Sequence, residues 1–421
     1  MEQGMREISR IFLALVTALA LTGACSEEPP PAADGGQDRG TTTFDAGALD
    51  LRQDRGGKLP DLGPDRPRAP AHWSKVPGSV QPVCYDHTAT LLPSGKVLIV
   101  GGLMDLGGNE VYKSDVYLFD PAASRFQKVA SLATARAEHT ATLLKDGKVL
   151  VTGGQGNTSY LASTELYDPK TNKWTAGPKM PYSRFGHAAA RLPGGQVLIS
   201  GGFTSSDSTN SLLIYDPTQK IFGAPSSTMK EARRYHTMTP LRSGSVLIAG
   251  GLTGRGLSTY TSLDSLEIFT TSGSTQLVPQ AMHWKRVAHT ATLLGDGRVL
   301  LVGGLCWRDC TGSKVNDIYD PGTNKVSQLT FAGTPPTAHV AALLKDGRVL
   351  IAGSNGSKVE DRKVAYLYNP KGGLMTWVNQ PSMAYGRASA TGTTLNDGRV
   401  LVVGGEQEYE SYPPVAELYH P

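Results

Sequence analysis

The stretch His139-Thr140-Ala141-Thr142-Leu143-Leu144-Lys145-Asp146-Gly147-Lys148-Val149-Leu150-Val151-Thr152-Gly153-Gly154 carries the pattern that decides the fold. Two apolar runs flank Asp146-Gly147, a dipeptide that favours the tight turn of a β-hairpin. The second run lacks polar alternation, as expected of a strand covered on both faces, and it ends in paired glycines. The stretch recurs down the chain, with the first glycine of each pair at Gly101, Gly153, Gly201, Gly250, Gly303, Gly353 and Gly404. Ser354 replaces the second glycine in the sixth copy. Spacings of 48 to 53 residues give seven units, each long enough for four short strands.

Within the second unit, strand a is read over His139 to Leu144 and strand b over Lys148 to Thr152. Strand c ends at Leu166-Tyr167-Asp168-Pro169, and strand d carries an aromatic residue seven places after that Tyr. Phe126, Trp174 and Phe222 fit this rule, whereas Gln276 and Val326 hold the position in units four and five. Trp377 is expected to take the role in unit six after a two-residue insertion. The seventh unit stops at Pro421, after its strand c. Trp73-Ser74-Lys75-Val76-Pro77 precedes the first strand a as Trp174-Thr175-Ala176-Gly177-Pro178 precedes the third. The N-terminal strand is therefore expected to complete the last unit as its strand d. From about His72 to Pro421 the chain resembles the kelch-repeat β-propeller family. The resemblance implies an all-β, seven-bladed propeller of four antiparallel strands per blade, with strand a innermost around a channel.

Composition agrees. The 421 residues include 49 Gly and 27 Pro, which disfavours helical bundles because each interior Gly costs a helix about 1 kcal/mol. A hydrophobic share of 39% and a charged share of 19% exclude a chain that is disordered or membrane-embedded throughout. The net charge of +4 is spread along the sequence, and no basic stretch interleaved with aromatics marks a nucleic-acid partner. Residues 11–21 form a short apolar run after Arg6 and Arg10, followed by Thr22-Gly23-Ala24-Cys25. Residues 1–25 thus resemble a bacterial lipoprotein signal, which implies lipidation of Cys25. Residues 26–71 hold seven Pro, seven Gly and seven Asp, and read as a disordered tether to the propeller of 72–421. The implied location is the bacterial cell envelope, at the outer membrane, with the lipid anchor as the only membrane contact.

Candidate site residues follow from the hairpin geometry. The a–b turns are short and uniform, while the b–c connections vary and share a face with the d–a connections. Variable loops on a rigid scaffold are the usual place for recognition. That face carries Tyr85, Tyr182, Tyr235, Trp284, Trp307 and Tyr385, with Tyr112, Tyr160, Phe203, Tyr260, Tyr409 and Tyr412 beside them. Amphipathic rings suit a protein or a glycan ligand, and also suit pinning their own loops. Three residues before the strand-a His, Arg136, Arg184, Arg233, Arg286 and Arg387 recur, with Cys84 and Pro336 in units one and six. Such a set either clamps carboxylates near the channel mouth or forms ion pairs between blades. The recurring His87, His139, His187, His236, His289 and His339 read as structural, because a ring of that radius cannot converge on one ion. Cys306 and Cys310 flank three residues and are candidates for a local disulfide, leaving Cys84 unpaired near the mouth.

Arg234-Tyr235-His236 resembles a copper-ligand segment of the galactose oxidase group, which implies Tyr235 and His236 as copper ligands in an oxidase. A second enzyme reading is similarity to a sialic-acid epimerase-like kelch enzyme, with Arg184 and Arg286 at the mouth. No phosphate loop, zinc motif or nucleophile elbow is present. The favoured expectation is a non-catalytic scaffold without cofactor that binds a protein or glycan through the b–c/d–a face.

Overall fold

The computed structural model describes residues 70–421 except 79–83, 107, 226, 256–258, 311–313, 330–335, 357, 372–374, 378–381 and 408–410. The leader with Cys25, the tether up to residue 69, and Tyr409 lie outside the described residues. Seven four-stranded antiparallel sheets form the blades of an all-β propeller. Blade 2 shows the plan, with strand a Thr140–Leu143, b Val149–Thr152, c Thr164–Asp168 and d Lys173–Ala176. The seven strands a pack side by side around the axis, each against its two neighbours. All seven strands b are fully buried, as their unbroken apolar runs require. Two short hairpins extend the b–c connections of blades 1 (Leu103–Asp105 with Glu110–Tyr112) and 4 (Leu252–Thr253 with Thr261–Ser262).

The ring closes between the two ends of the propeller. His72–Lys75 pairs antiparallel with Glu417–His420, so it forms strand d of blade 7. Trp73 lies against Tyr419 with ring centroids 5.1 Å apart, and the Val76 amide donates to Ala416 O at 2.9 Å. In blades 1 to 3 the strand-d aromatics face the strand-c ring as expected, at 5.0 to 5.3 Å. Blade 4 departs from the seven-residue rule. Its c–d turn is one residue shorter, so Thr275 rather than Gln276 stands opposite Phe269. In blade 6 the strand register pairs Met375 with Tyr368 and Trp377 with Tyr366.

A belt of repeated residues joins the blades. The second residue of each glycine pair donates its amide to the carbonyl at the arginine position of the next blade, at 2.9 to 3.2 Å in all seven junctions. Gly405 to Cys84 closes the circle at 2.9 Å. This contact needs only backbone, which is why Cys84 and Pro336 are tolerated there. The first glycine is required by crowding: a Cβ on Gly201 would stand 2.2 Å from Arg233 O, at φ +59°.

The five arginines are not at a surface. Each is at most 1% exposed and donates from Nη1 to the carbonyl of its own blade's first glycine, at 2.7 to 3.0 Å. Arg136, Arg233, Arg286 and Arg387 also pair with Glu165, Glu267, Asp317 and Glu417 on strand c. Arg184 meets Ser211 Oγ instead. With no carboxylate against it, burial lowers its guanidinium to about 10. The arginines are therefore tied within blades, which corrects both expectations: they neither clamp a ligand nor form ion pairs between blades.

The histidines do join blades. Nε2 of His139, His187, His289, His339 and His87 meets Thr88, Thr140, Thr237, Thr290 and Thr391 of the preceding blade at 2.8 to 3.1 Å. Where Ala188 removes that hydroxyl, His236 bonds Ser200 Oγ at 2.7 Å. At the junction of blades 6 and 7 both partners are lost together, and Val340 packs with Ala390.

Candidate binding mouth

The residue immediately before the belt histidine lies at the channel mouth on the b–c/d–a face. In successive blades it is Asp86, Glu138, Gly186, Tyr235, Ala288, Ala338 and Ser389. Every one has φ between +49° and +62°, a left-handed conformation costing a non-glycine residue about 1–2 kcal/mol. Backbone hydrogen bonds hold these turns to one another: Glu138 N to Asp86 O at 3.1 Å, Tyr235 N to Gly186 O at 2.7 Å, and Ser389 N to Ala338 O at 2.8 Å. The belt fixes the backbone here and leaves the side-chain chemistry free to vary. Below the mouth, strand-a residues such as Thr140, Ala188, Thr237 and Thr290 line a channel of about 90 Å³.

Tyr235 spans this mouth. Its ring crosses over Gly186, where a Cβ would lie 2.8 Å from Tyr235 Cε1, and its hydroxyl donates to Glu138 Oε1 at 2.9 Å. Arg234 precedes it and is 2% exposed. The Arg234 guanidinium lies over Tyr260 at 4.3 Å, Phe203 at 4.7 Å and Tyr235 at 5.7 Å from the ring centroids. Its Nε is sealed in without an acceptor. The two-residue-earlier position is otherwise Tyr85, Ala137, Phe185, Val287, Thr337 or Ala388. Arg234 is thus a charge at a site where the repeat usually places an uncharged side chain.

On the opposite side stand the carboxyl groups. Asp86 is 2% exposed, and its Oδ1 has no partner; nor does Glu138 Oε2. Burial, reinforced by Glu138, Glu110 and Glu406, pushes the Asp86 carboxyl well above its ordinary range. Burial also raises Glu138, to about 7, against the lowering effects of the Tyr235 hydroxyl and Arg234. Arg362 approaches Glu406 at 3.9 Å. The buried Tyr85 hydroxyl lacks a partner and is raised by burial and by Asp86.

The structure therefore brings Tyr85 and Tyr235 to the mouth and scatters the other aromatic candidates. Trp284 is buried with Lys314 and Arg286 nearby. Trp307 is half-buried and docks on the blade 4 hairpin through Ser262. Tyr385 lies toward the rim beneath Lys75, and Tyr182 is 66% exposed. Asp86, Glu138 and Arg234 are the mouth residues that the repeat reading did not select. Their signal was a variable position beside invariant ones.

The candidate copper donors are engaged in hydrogen bonds within the fold. His236 is fully buried with its Nε2 on Ser200 Oγ, and the Tyr235 hydroxyl is given to Glu138. Cys84 is buried, donates to Gly101 O, and has its thiol pushed up to about 12 by burial, so it is not a reactive group at the mouth. Among the described residues no three His, Cys, Asp or Glu are grouped to hold a metal ion. Cys306 and Cys310 form a disulfide.

Comparison with known proteins places the repeat. Residues 70–251 match the family model described as the KLHDC2/KLHL20/DRC7 Kelch-repeats domain. Kelch-like protein 36 of Bos taurus is 29% identical over 109 residues, which cover 24% of this chain and 16% of that protein. The chain thus spans a small fraction of the curated relative it matches. A fungal alcohol oxidase of the AA5 family, solved in complex with copper, superposes with a TM-score of 0.66 at 17% identity over 83% of this chain and 75% of that one. That likeness is one of fold. Residues 70–251 thus match a kelch-repeat model, and the seven blades together form a β-propeller.

Proposed function

We propose that the chain is a non-catalytic binding scaffold, tethered to the bacterial envelope, that recognises a protein or glycan through its b–c/d–a face with the mouth at the centre. One observation carries this reading. Each repeated arginine and histidine has a side-chain hydrogen-bond partner inside the ring, although Nε of Arg184 and Arg233 and the histidine Nδ1 atoms have none. At the mouth, by contrast, Arg234 meets no described acceptor, and Asp86 Oδ1 and Glu138 Oε2 lack a partner. Unpaired buried charge is costly, and its retention on the loop-bearing face fits a site completed by a ligand. The apolar run of residues 11–21 and Cys25 support lipid anchoring at the outer membrane, with 26–71 as the leash. The glycan alternative draws on the mixture of carboxyl groups and aromatic rings, and the protein alternative on the fold's relatives.

The test is binding of the full chain to glycan arrays and to envelope fractions, in parallel with an Asp86→Asn, Glu138→Gln double variant. Binding that depends on the mouth is expected. Binding untouched by the double variant, or stoichiometric copper with peroxide release from simple alcohols, would overturn the reading. Mass of the mature N-terminus tests the anchor: acylated Cys25 is expected, and an unmodified or different N-terminus contradicts it.

A further inference from the structure

The mouth holds opposite charges apart. Arg234 and Glu138 flank Tyr235, yet no ion pair joins them: Tyr235 gives its hydroxyl to Glu138 and its ring face to Arg234. A carboxyl group at such a site can shed its charge by taking a proton, whereas a guanidinium cannot. Three aromatic rings supply Arg234 with cation–π attraction, but no described hydrogen-bond acceptor meets it. Two buried phenols, Tyr260 and Tyr85, also have unpartnered hydroxyls, the first at the Arg234 ring cluster and the second beside Asp86. Among the described residues Arg234 thus lacks an acceptor and an ion-pair partner, and at the other end Asp86 Oδ1, Glu138 Oε2 and the Tyr85 hydroxyl lack partners.

We propose that the mouth binds a dipolar amino-carboxylate, its carboxylate on Arg234 and the Tyr260 hydroxyl, its ammonium against Asp86, Glu138 and the Tyr85 hydroxyl. This rests on the reading of the mouth as the binding centre and names the ligand chemistry that reading leaves open. Because Tyr235 stands between the poles, the two ligand charges lie farther apart than in an α-amino acid. An ω-amino acid or the two ends of a short peptide meets that requirement. Guanidinium binds carboxylate through paired N–H donors, and paired carboxylates flanked by phenol rings suit an ammonium. Glu110 and Glu406 add negative charge at the ammonium end, and Arg362 partly balances Glu406.

The test is calorimetric titration of the full chain with ε-aminocaproate, caproate and hexylamine. The dipolar compound is expected to bind at least tenfold more tightly than either singly charged one. Arg234→Gln removes its advantage over hexylamine, and Glu138→Gln removes its advantage over caproate. Arg234→Lys, which keeps charge but not the paired donors, retains part of the preference and serves if the Gln variant does not fold. Caproate or hexylamine binding as tightly as ε-aminocaproate overturns the proposal while leaving the mouth a binding centre. Absence of binding by all three, alongside mouth-dependent glycan or protein binding, also overturns the proposal alone. Loss of that mouth-dependent binding overturns the underlying reading.

Discussion

Arg233 and Arg234 are adjacent, both at most 2% exposed, and opposite in circumstance. Arg233 belongs to the belt and bonds Gly250 O, Ser265 and Glu267 within its own blade. Arg234 belongs to the mouth, where rings surround it and no acceptor meets it. In the other blades the position next to the belt residue carries an uncharged side chain. The belt repeats because each blade must be joined to the next in the same way. The mouth varies because, once the belt has fixed the backbone, its side chains are free to serve something other than the fold. Burial alone does not separate the two arginines; the carboxylate partner of Arg233 does.

The comparison can be broken most severely at the ring closure. Deleting His72 to Pro77 from the full chain removes strand d of blade 7 and uncovers Tyr419. The melting temperature is expected to fall by an amount equivalent to more than about 3 kcal/mol, from lost apolar burial and ladder bonds. An unchanged melt would refute the closure. Next in size, Arg233→Met leaves Glu267 buried without its cation, and is expected to cost about 3–5 kcal/mol by denaturant unfolding. A neutral result would remove Arg233 from the belt.

Acid sharpens the contrast, because belt and mouth respond with opposite sign. Burial lowers His87 to about 4 and His187 and His339 to about 3, against about 6.5 when unfolded. Their contribution is present above pH about 6.5 and is lost as pH falls toward those lowered values. Glu138, raised to about 7, works the other way: its contribution is greatest below its unfolded pKa and is lost as pH rises through about 7. Urea midpoints should therefore fall steeply on acidification from about pH 6.5. Glu138→Gln should gain stability at pH 8 and none at pH 4. A variant with unaltered pH dependence would contradict this assignment. The smallest effect is expected from Gly186→Ala, whose Cβ meets the Tyr235 ring and whose φ is left-handed. It should cost about 1–2 kcal/mol and, by displacing the Tyr235 hydroxyl, raise the Glu138 carboxyl in an NMR titration. An unmoved Glu138 would show that Gly186 does not position Tyr235.

Much of the fold was legible because it is written at backbone level and repeated. The Asp-Gly turns, apolar strands b, glycine pairs and missing last strand d all report constraints that every blade shares. Gln276 and Trp377 misled because strand register depends on the length of each c–d turn, which a fixed seven-residue rule does not capture. The arginines carried a further signal. Glu165, Glu267, Asp317 and Glu417 accompany an arginine in their blades, whereas blades 1 and 6 lack the arginine and have Tyr117 and Tyr366 at the acid's place. That correlation marks ion pairs within a blade. The mouth was harder to read, since its side chains differ in every blade and their meeting depends on Tyr235 reaching over Gly186 to a residue 97 positions earlier.

The central claim, that mouth charge is kept for a ligand and belt charge for the fold, is tested most directly by unfolding Arg234→Met beside Arg233→Met. Replacing a buried, unpaired guanidinium with an apolar side chain of similar length is expected to leave stability within about 1 kcal/mol of the native chain or to raise it. A loss for Arg234→Met as large as that for Arg233→Met would contradict the claim and make Arg234 part of the fold's own framework.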